Sequence, residues 1–331
     1  MADLPVTAVV VVYRFDADTT ERCIASLAAS TGIDLHAVVV YNGPPHHRDA
    51  LQAMCAAHAA TLVLSPHNDG FAAAANLALA AVPAHHHVFL LNDDAWIEPA
   101  TIAACADALA AAGERCISVA PMVVHATQPD RVDSMGVVLR ADGMAFNAFQ
   151  GRPRDQIAPQ AVEVLGPCFA AGLFRAGAFT PAKVGPMSER YFLYFEDVEW
   201  NVRARHQGFH SIAVPHAIAA HHHALSTREM GEPRRNGMVQ RNALVMALAT
   251  LSPAGATKVW LHQAVVHAKA LIRDPHRLIR ARALLGALRL APWALRSRRA
   301  NRGAHPVPDT DLFRFSVGHH PAIDPGDYSL T

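Results

Sequence analysis

The chain has 331 residues, enough for one large domain or two ordinary ones, and its hydrophobic content of 51% is ample for a buried core. The formal net charge is only +1, so no bulk positive field marks the protein as nucleic-acid binding. Its five cysteines are widely spaced without a CxxC pair, and the N-terminus has no basic segment followed by a long apolar run. We therefore expect a globular cytoplasmic protein with no nucleic-acid partner.

The first part of the chain alternates between strand-like and helix-like segments. Apolar and β-branched runs predict strands over residues 6–13, 35–41, 61–64, 88–91 and 117–122. Helical patterns lie between them, over residues 19–30, 48–59, 72–82 and 99–112. Strands that alternate with helices of this length predict βαβ units, and therefore an α/β fold with a mostly parallel, doubly wound sheet.

An acidic cluster follows the strand predicted at residues 88–91, where Asn92, Asp93 and Asp94 come without an intervening turn residue. In open α/β sheets, ligands bind at the carboxyl ends of parallel strands. Oxygen-bearing side chains at such a position suit a divalent cation that keeps several waters and also binds phosphates. The alternative interpretation is an Asn/Asp turn that only connects the strand to a helix.

A second acidic cluster lies further along the chain. Residues 123–164 contain short apolar pieces separated by Gly, Pro and Asp, as in an inserted hairpin region or a loop that faces an acceptor. An aromatic run over residues 191–195 then ends at Glu196 and Asp197, and a helical pattern continues to Gly208, a residue type common at helix C-termini. The two carboxylates are either an acidic first turn, which the helix dipole favours, or a general base facing a pocket.

The C-terminal part is helical and basic. Helices are predicted over residues 242–251, 254–272 and 275–290, and residues 255–302 contain eleven Lys or Arg (two Lys and nine Arg) against one acid. Arginines beside Leu, Ile and Trp suit a helix that lies on an anionic membrane surface. They equally suit a helical hairpin that packs on the rest of the protein with a solvated arginine face. The tail at 301–331 is predicted to be irregular, with Leu312 and Phe315 able to contact the body.

No GxGxxG segment follows the first strand, which disfavours a dinucleotide-dependent enzyme. Several other motifs occur in a specific order along residues 6–248. They are Tyr13-Arg14 after the first strand, Asn42 after the second, Asn68-x-Gly70-Phe71 followed by Asn76, Asn92-x-Asp94, Glu196-Asp197 followed by Glu199-Trp200, His221, and Arg241-Asn242. In this order and spacing the chain resembles the family 2 glycosyltransferases, particularly the bacterial rhamnosyltransferase-like branch with a GT-A fold.

The resemblance implies a function and a domain organisation. The GT-A domain would span residues 1–250, with a nucleotide-binding half at 1–122 and an acceptor half at 123–250, followed by basic helices at 251–300. The implied activity is an inverting, metal-dependent transfer of a sugar, best guessed as rhamnose from dTDP-rhamnose, to a glycan or lipid-linked glycan acceptor in cell-surface polysaccharide synthesis. The alternatives are a UDP-sugar donor or a non-catalytic nucleotide-sugar-binding protein. A lipid-linked acceptor would suit a peripheral position on the inner face of the cell membrane.

The resemblance also implies residue roles. Asp197 would be the base that deprotonates the acceptor hydroxyl, with Glu196 orienting it. The implied ligands of Mg²⁺ or Mn²⁺ are Asp94, Asn92 and His221, although His221 lies in one of two histidine triplets that lack zinc spacing. Donor binding would fall to Tyr13, Arg14, Asn42, Asn68, Gly70, Phe71, Asn76, Asn92 and Asp93, and acceptor binding to Tyr194, Glu199 and Trp200. Two residues depart from the family pattern, since Asp93 replaces a proline and Tyr41 stands where relatives often have Asp.

Overall fold

The computed structural model describes residues 4–222, 231–273, 276–303 and 306–315. Its strands are β1 (Pro5–Val12), β2 (Asp34–Tyr41), β3 (Thr61–Leu64), β4 (His87–Asn92), β5 (Ala95–Ile97), β6 (Cys116–His125), β7 (Gln128–Ser134), β8 (Val137–Leu139), β9 (Ala145–Asn147), β10 (Val162–Val164), β11 (Ala171–Phe174) and β12 (His210–His221). Its helices are α1 (Ala17–Ala28), α2 (Arg48–Ala57), α3 (Phe71–Leu79), α4 (Thr101–Ala111), α5 (Glu196–His206), α6 (Glu232–Thr250), α7 (Pro253–Arg273), α8 (Arg277–Arg302) and α9 (Asp309–Phe313).

A ten-stranded sheet organises the fold, and its main path runs β10-β12-β6-β11-β4-β1-β2-β3. β1 lies parallel to β2 and β4, and β2 lies parallel to β3. β11 enters antiparallel between β4 and β6, while β12 is parallel to β6. The predicted α/β fold with a mostly parallel sheet is therefore confirmed, with one antiparallel strand inserted near its middle.

Burial on both faces explains why the central strands are continuous apolar runs. Every residue of β1 from Val6 to Val12 is buried, because helices cover both sides of the sheet. Helix α1 contributes Cys23, Ile24 and Leu27 to the core on one side. The alanine-rich α3 packs on the other side, where small side chains allow close approach to β1 and β2.

The segment at 123–164, predicted as an inserted hairpin region, contains two antiparallel strand pairs. β6 extends to His125, and β7 turns back to pair antiparallel with it. β8 and β9 form a separate two-stranded sheet. This arrangement carries Asp133, near the end of β7, back toward the carboxyl end of the main sheet.

The C-terminal helices pack on the sheet domain and on one another. Helix α6 starts at Glu232, well before the predicted start at residue 242, and α8 packs along it. The tail predicted as irregular contains the short helix α9, which corrects that prediction, and Leu312 and Phe315 are buried in the main core. Residues 316–331 lie outside the described part. Across the described residues, no helix combines the length and apolar character needed to cross a bilayer.

Candidate active site

The carboxyl ends of β1, β2 and β4 meet at one edge of the sheet, because the three strands are parallel neighbours. A cleft of about 420 Å³ opens there, and four of the predicted site residues line it, namely Tyr13, Arg14, Asp93 and Asp94. The cleft also has lining residues that the motifs did not indicate: Phe15, Asp16, Thr19, Thr20, Pro44, His46 and His47. Their position just after β1 and β2 was the signal that could have identified them.

The asparagines predicted to bind the donor mainly shape the backbone around this edge. Asn42 donates from Nδ2 to Asn68 Oδ1 and to the Gly70 carbonyl, both at 3.4 Å. Asn76 donates to the Met187 carbonyl at 2.9 Å and accepts from the Met187 amide at 3.0 Å. Asn76 therefore links α3 to a neighbouring loop, and its amide is not available to a donor. This corrects its predicted role.

A second cleft, of about 280 Å³, lies on the other side of the turn at residues 92–94. Asn92 lines this cleft rather than the first, together with Phe71, Tyr194, Glu196, Asp197 and His221. The structure therefore brings both acidic clusters to adjoining spaces, with one turn of chain shared between them. Phe71 lines the second cleft and not the first.

The loop that leads into Glu196 and Asp197 is strained. Phe192, Tyr194 and Phe195 have φ values of 68°, 69° and 73°, in a region that side chains other than glycine rarely adopt. The amide of Phe71 donates to the Phe192 carbonyl at 2.8 Å. At Gly70, a Cβ atom would lie 2.1 Å from the same carbonyl oxygen, so the Asn-x-Gly-Phe motif requires glycine for this close approach.

Asn242 holds this strained loop in place. Its fully buried Nδ2 donates to the carbonyls of Tyr191, Leu193 and Tyr194, at 3.1, 2.9 and 2.7 Å. Its Oδ1 accepts from Arg241 Nε at 2.8 Å, which orients the amide. The Arg-Asn motif, for which the sequence indicated no role, thus fixes the segment that presents the second acidic pair.

Glu196 and Asp197 sit in an environment that disfavours ionisation. Burial, and then the charge of Asp197, raise the pKa of Glu196 to about 8. Burial also raises the pKa of Asp197, to about 6, but backbone amides oppose it, including the Val198 amide that donates to Oδ1 at 2.7 Å. The pKa of Glu196 is raised further than that of Asp197, so Asp197 is the one of the pair that ionises at the lower pH, which suits it for the role of base.

Two predicted acceptor residues are corrected by their burial. Trp200 is 0% exposed, it packs against Phe174 and Phe179, and its indole nitrogen donates to the Gly185 carbonyl. Glu199 is also buried and forms an ion pair with Arg203 at 2.7 Å. Both side chains belong to the core around α5, so neither can contact an acceptor. Tyr194 does line the second cleft.

His221 lies between two carboxylates. Its Nε2 is 3.0 Å from Asp94 Oδ1, and its Nδ1 is 2.9 Å from Asp133 Oδ2. Burial alone would lower the pKa of His221, but hydrogen bonds and charges from Asp133 and Asp94 raise it to about 10. Asp133 was not predicted from the sequence, because only the pairing of β7 with β6 brings it to this position.

Asp94 and His221 fit a shared divalent cation. Asp94 Oδ1 and His221 Nε2 lie 3.0 Å apart as an ion pair, so both atoms would be within reach of one cation that replaced the proton between them. Because the pKa of His221 is raised, a cation would have to displace the Nε2 proton, and Asp133 would then keep the remaining proton on Nδ1. Within residues 4–222, 231–273, 276–303 and 306–315, no three His, Cys, Asp or Glu side chains form a metal cluster. Phosphate oxygens and water would therefore have to complete the coordination.

Comparison with known proteins identifies the family. The model of "Glycosyl transferase family 2" matches residues 7–176, just over half of the 331-residue chain. The chain belongs to glycosyl transferase family 2. The match includes the first cleft and the turn at residues 92–94, while α5 and its acidic pair lie beyond it.

Solved structures similar to this family 2 glycosyltransferase include GT-A enzymes, which confirms the predicted fold. One is GalNAc-T7 with UDP, GalNAc and Mn²⁺, at 10% identity and a TM-score of 0.63, covering 92% of this chain and 59% of that one. Another is TarS 1–349 of S. aureus, at 12% identity and a TM-score of 0.54, covering 94% of this chain and 89% of that one. A third is the mannosyltransferase PcManGT from Pyrobaculum calidifontis with GDP-Man and Mn²⁺, at 15% identity and a TM-score of 0.53. It covers 88% of this chain and 89% of that one. This chain spans about three fifths of GalNAc-T7. No curated protein sequence matches it.

Proposed function

We propose that the protein transfers a sugar from a nucleotide-diphosphate donor in the first cleft to a hydroxyl of an acceptor in the second. The observation that carries the proposal is the shared turn at residues 92–94, which has Asp93 and Asp94 facing the first cleft and Asn92 facing the second. A donor bound along this turn would lie between the diphosphate-binding carboxylates and Asp197. The similar structures of GalNAc-T7 with UDP and of PcManGT with GDP-Man support a donor of this class.

The chemistry proposed for Asp197 is general base catalysis. Its carboxylate accepts the proton of the acceptor hydroxyl while that oxygen attacks the anomeric carbon. The bond from the anomeric carbon to the diphosphate breaks in the same step, and its electron pair leaves with the nucleoside diphosphate. Burial raises the pKa of Glu196, and its buried Oε2 has no hydrogen-bond partner among the described residues, so a protonated Glu196 would be able to donate to a bound acceptor. A single displacement of this kind inverts the anomeric configuration.

Asp94 and His221 are proposed to hold Mg²⁺ or Mn²⁺, with Asp133 orienting His221. When bound, the cation neutralises negative charge on the diphosphate. Asn92 faces the acceptor side, so its contribution to the metal would be through water. The structures of GalNAc-T7 and PcManGT, both with Mn²⁺, support a divalent cation.

The donor base would lie against the aromatic rim of the first cleft. Tyr41, which stands where relatives often have Asp, is buried, and its hydroxyl donates to the Pro44 carbonyl at 2.6 Å. The Tyr41 hydroxyl is therefore not placed to form a hydrogen bond with the donor base. Phe15 and His47, with ring centroids 5.4 Å apart, offer flat surfaces for stacking instead. Thymine and uracil present the same hydrogen-bonding edge, so this rim would accept either base. On the resemblance to rhamnosyltransferases we propose dTDP-rhamnose as the donor, with a UDP-sugar as the alternative.

The test is transfer from a panel of donors, dTDP-rhamnose, UDP-sugars and GDP-mannose, with Mg²⁺ or Mn²⁺, to simple glycan acceptors. We expect turnover with dTDP-rhamnose, inversion of the anomeric configuration by NMR, and no turnover with chelator present. Asp155→Asn, an exposed carboxylate that lines neither cleft, serves as the control variant. Nucleotide binding without turnover of any donor would contradict catalysis and favour a nucleotide-sugar-binding protein.

A further inference from the structure

Helix α8 has two faces of different character. Its inner face consists of Ala283, Ala287 and Ala294, which are buried where α8 packs along α6. The opposite face carries four exposed leucines, between 49% and 71% accessible, at positions 278, 285, 288 and 295. A row of large, exposed apolar side chains along one helix is typical of a surface that contacts another protein or a membrane.

Arginines flank these leucines on the same outward face. Five of them are exposed, at positions 277, 282, 289, 296 and 299. Arg282, Arg289 and Arg296 repeat every seven residues, as do Leu278 and Leu285, and Leu288 and Leu295. Seven residues are close to two helical turns, so each set forms a line along the helix. Helix α8 contains no acidic residue that could neutralise this face.

The charge pattern distinguishes between possible occupants of the outward face. A second copy of α8 would place arginines against arginines, and the heptad lines are interrupted by Pro292 at a position that a coiled coil would fill with an apolar side chain. An anionic lipid bilayer complements both parts of the face, since leucines enter the interface between headgroups and acyl chains while arginines contact phosphates.

We propose that the outward face of α8 binds the surface of an anionic lipid bilayer, with the helix lying parallel to the membrane plane. The sequence left two interpretations for this segment, a membrane-surface helix or a helix packed on the domain. The structure accommodates both, because the alanine face packs on α6 and the Leu/Arg face is exposed. This binding goes beyond the proposed function and does not depend on it.

The experiment is co-sedimentation of the full chain with vesicles of phosphatidylcholine alone or with about one third phosphatidylglycerol. We expect binding only to the anionic vesicles, weakened by added salt. The triple variant Arg282→Gln, Arg289→Gln and Arg296→Gln should bind about a hundredfold more weakly, since each basic residue near the surface contributes about fivefold. Leu285→Gln with Leu288→Gln should also weaken binding, because the leucines lose their burial in the interface.

The control variant removes the same number of charges elsewhere, by Arg115→Gln, Arg131→Gln and Arg154→Gln, all on exposed residues outside α8. It should bind anionic vesicles as the unmodified chain does, and an equal loss of binding would overturn the proposal. Absence of binding by the unmodified chain would also overturn it. So would a dimer in solution that the leucine variants convert to monomer. Nucleotide-dependent thermal stabilisation, measured on every variant, reports on the first cleft, so failure here stays distinct from failure of the proposed function.

Discussion

The two acidic clusters, one at Asp94 and one at Glu196 and Asp197, both contain carboxylates but lie in different surroundings. Asp94 lies at a strand end, where it contacts His221, and His221 in turn contacts Asp133. Glu196 and Asp197 begin a helix behind a strained aromatic loop, and burial raises the pKa of both. The neighbours of each carboxylate, and not its residue type, distinguish the two proposed roles of metal binding and proton transfer. A carboxylate next to an imidazole is placed to bind a cation together with it. A carboxylate surrounded by backbone amides and apolar rings is placed to accept a proton.

The largest expected effect follows from removal of the proposed base. Asp197→Asn keeps the size of the side chain and removes its ability to accept a proton, so we expect the turnover number to fall by about 10² to 10⁴. Nucleotide binding should persist, since Asp197 lines only the second cleft. Turnover that stays within a few-fold of that of the Asp155→Asn control would exclude Asp197 as the base.

The next expected effect concerns the loop that presents the base. Asn242→Asp would turn a carboxylate toward the carbonyls that now receive hydrogen bonds from Nδ2. Because small displacements of catalytic groups cost up to about a hundredfold, we expect a loss of that size in turnover, with nucleotide affinity retained. Asn242→Ala should lose less, and the exposed Asn236→Ala on the same helix should lose nothing. An equal loss of nucleotide affinity would point to general unfolding instead of misplacement.

A smaller effect is expected from Asp133, the carboxylate that contacts His221. Asp133→Asn would remove the carboxylate on Nδ1 of His221 without touching Asp94, and such outer partners of metal ligands are worth about 10- to 100-fold in metal affinity. Titration of Mn²⁺ by calorimetry in the presence of UDP or dTDP measures this directly. The matched control is Asp130→Asn, an exposed carboxylate on the same strand. Identical Mn²⁺ affinities for the two variants would remove Asp133 from the site.

The pH dependence gives the smallest and most specific test. A base acts only when ionised, and burial raises the pKa of Asp197 to about 6, so its protonated form persists to a higher pH than for an ordinary aspartate. Turnover should therefore fall as the pH drops through about 6. A profile that stays flat down to about pH 4.5 would mean that the base is an unperturbed carboxylate elsewhere.

The sequence predicted the placement of local features well. Residues 88–94 form a strand and an acidic turn at the sheet edge, and residues 196–206 form a helix that starts with carboxylates, because both patterns are local. Contacts between distant segments were not predictable. Asp133 and His221 are 88 positions apart, and Asn242 contacts a loop about 50 positions earlier.

The two wrong acceptor assignments have a related cause. Glu199 and Trp200 follow the acidic pair in sequence, so the motif suggested a shared function. The structure shows instead that nearly the whole surface of α5 is buried, and Phe174 and Phe179 enclose Trp200. Adjacency to a catalytic motif along a helix does not specify which side chains face the cleft.

The most direct test of the two-cleft account compares Asp94→Asn with Asp197→Asn in one measurement, the rise in melting temperature caused by UDP or dTDP with Mn²⁺. A ligand that binds only the native state raises this temperature. The account predicts that Asp94→Asn loses the metal-dependent rise, whereas Asp197→Asn keeps it. If Asp94→Asn kept the full rise, or if Asp197→Asn lost it, the assignment of donor and metal to one acidic pair and of proton transfer to the other would be wrong.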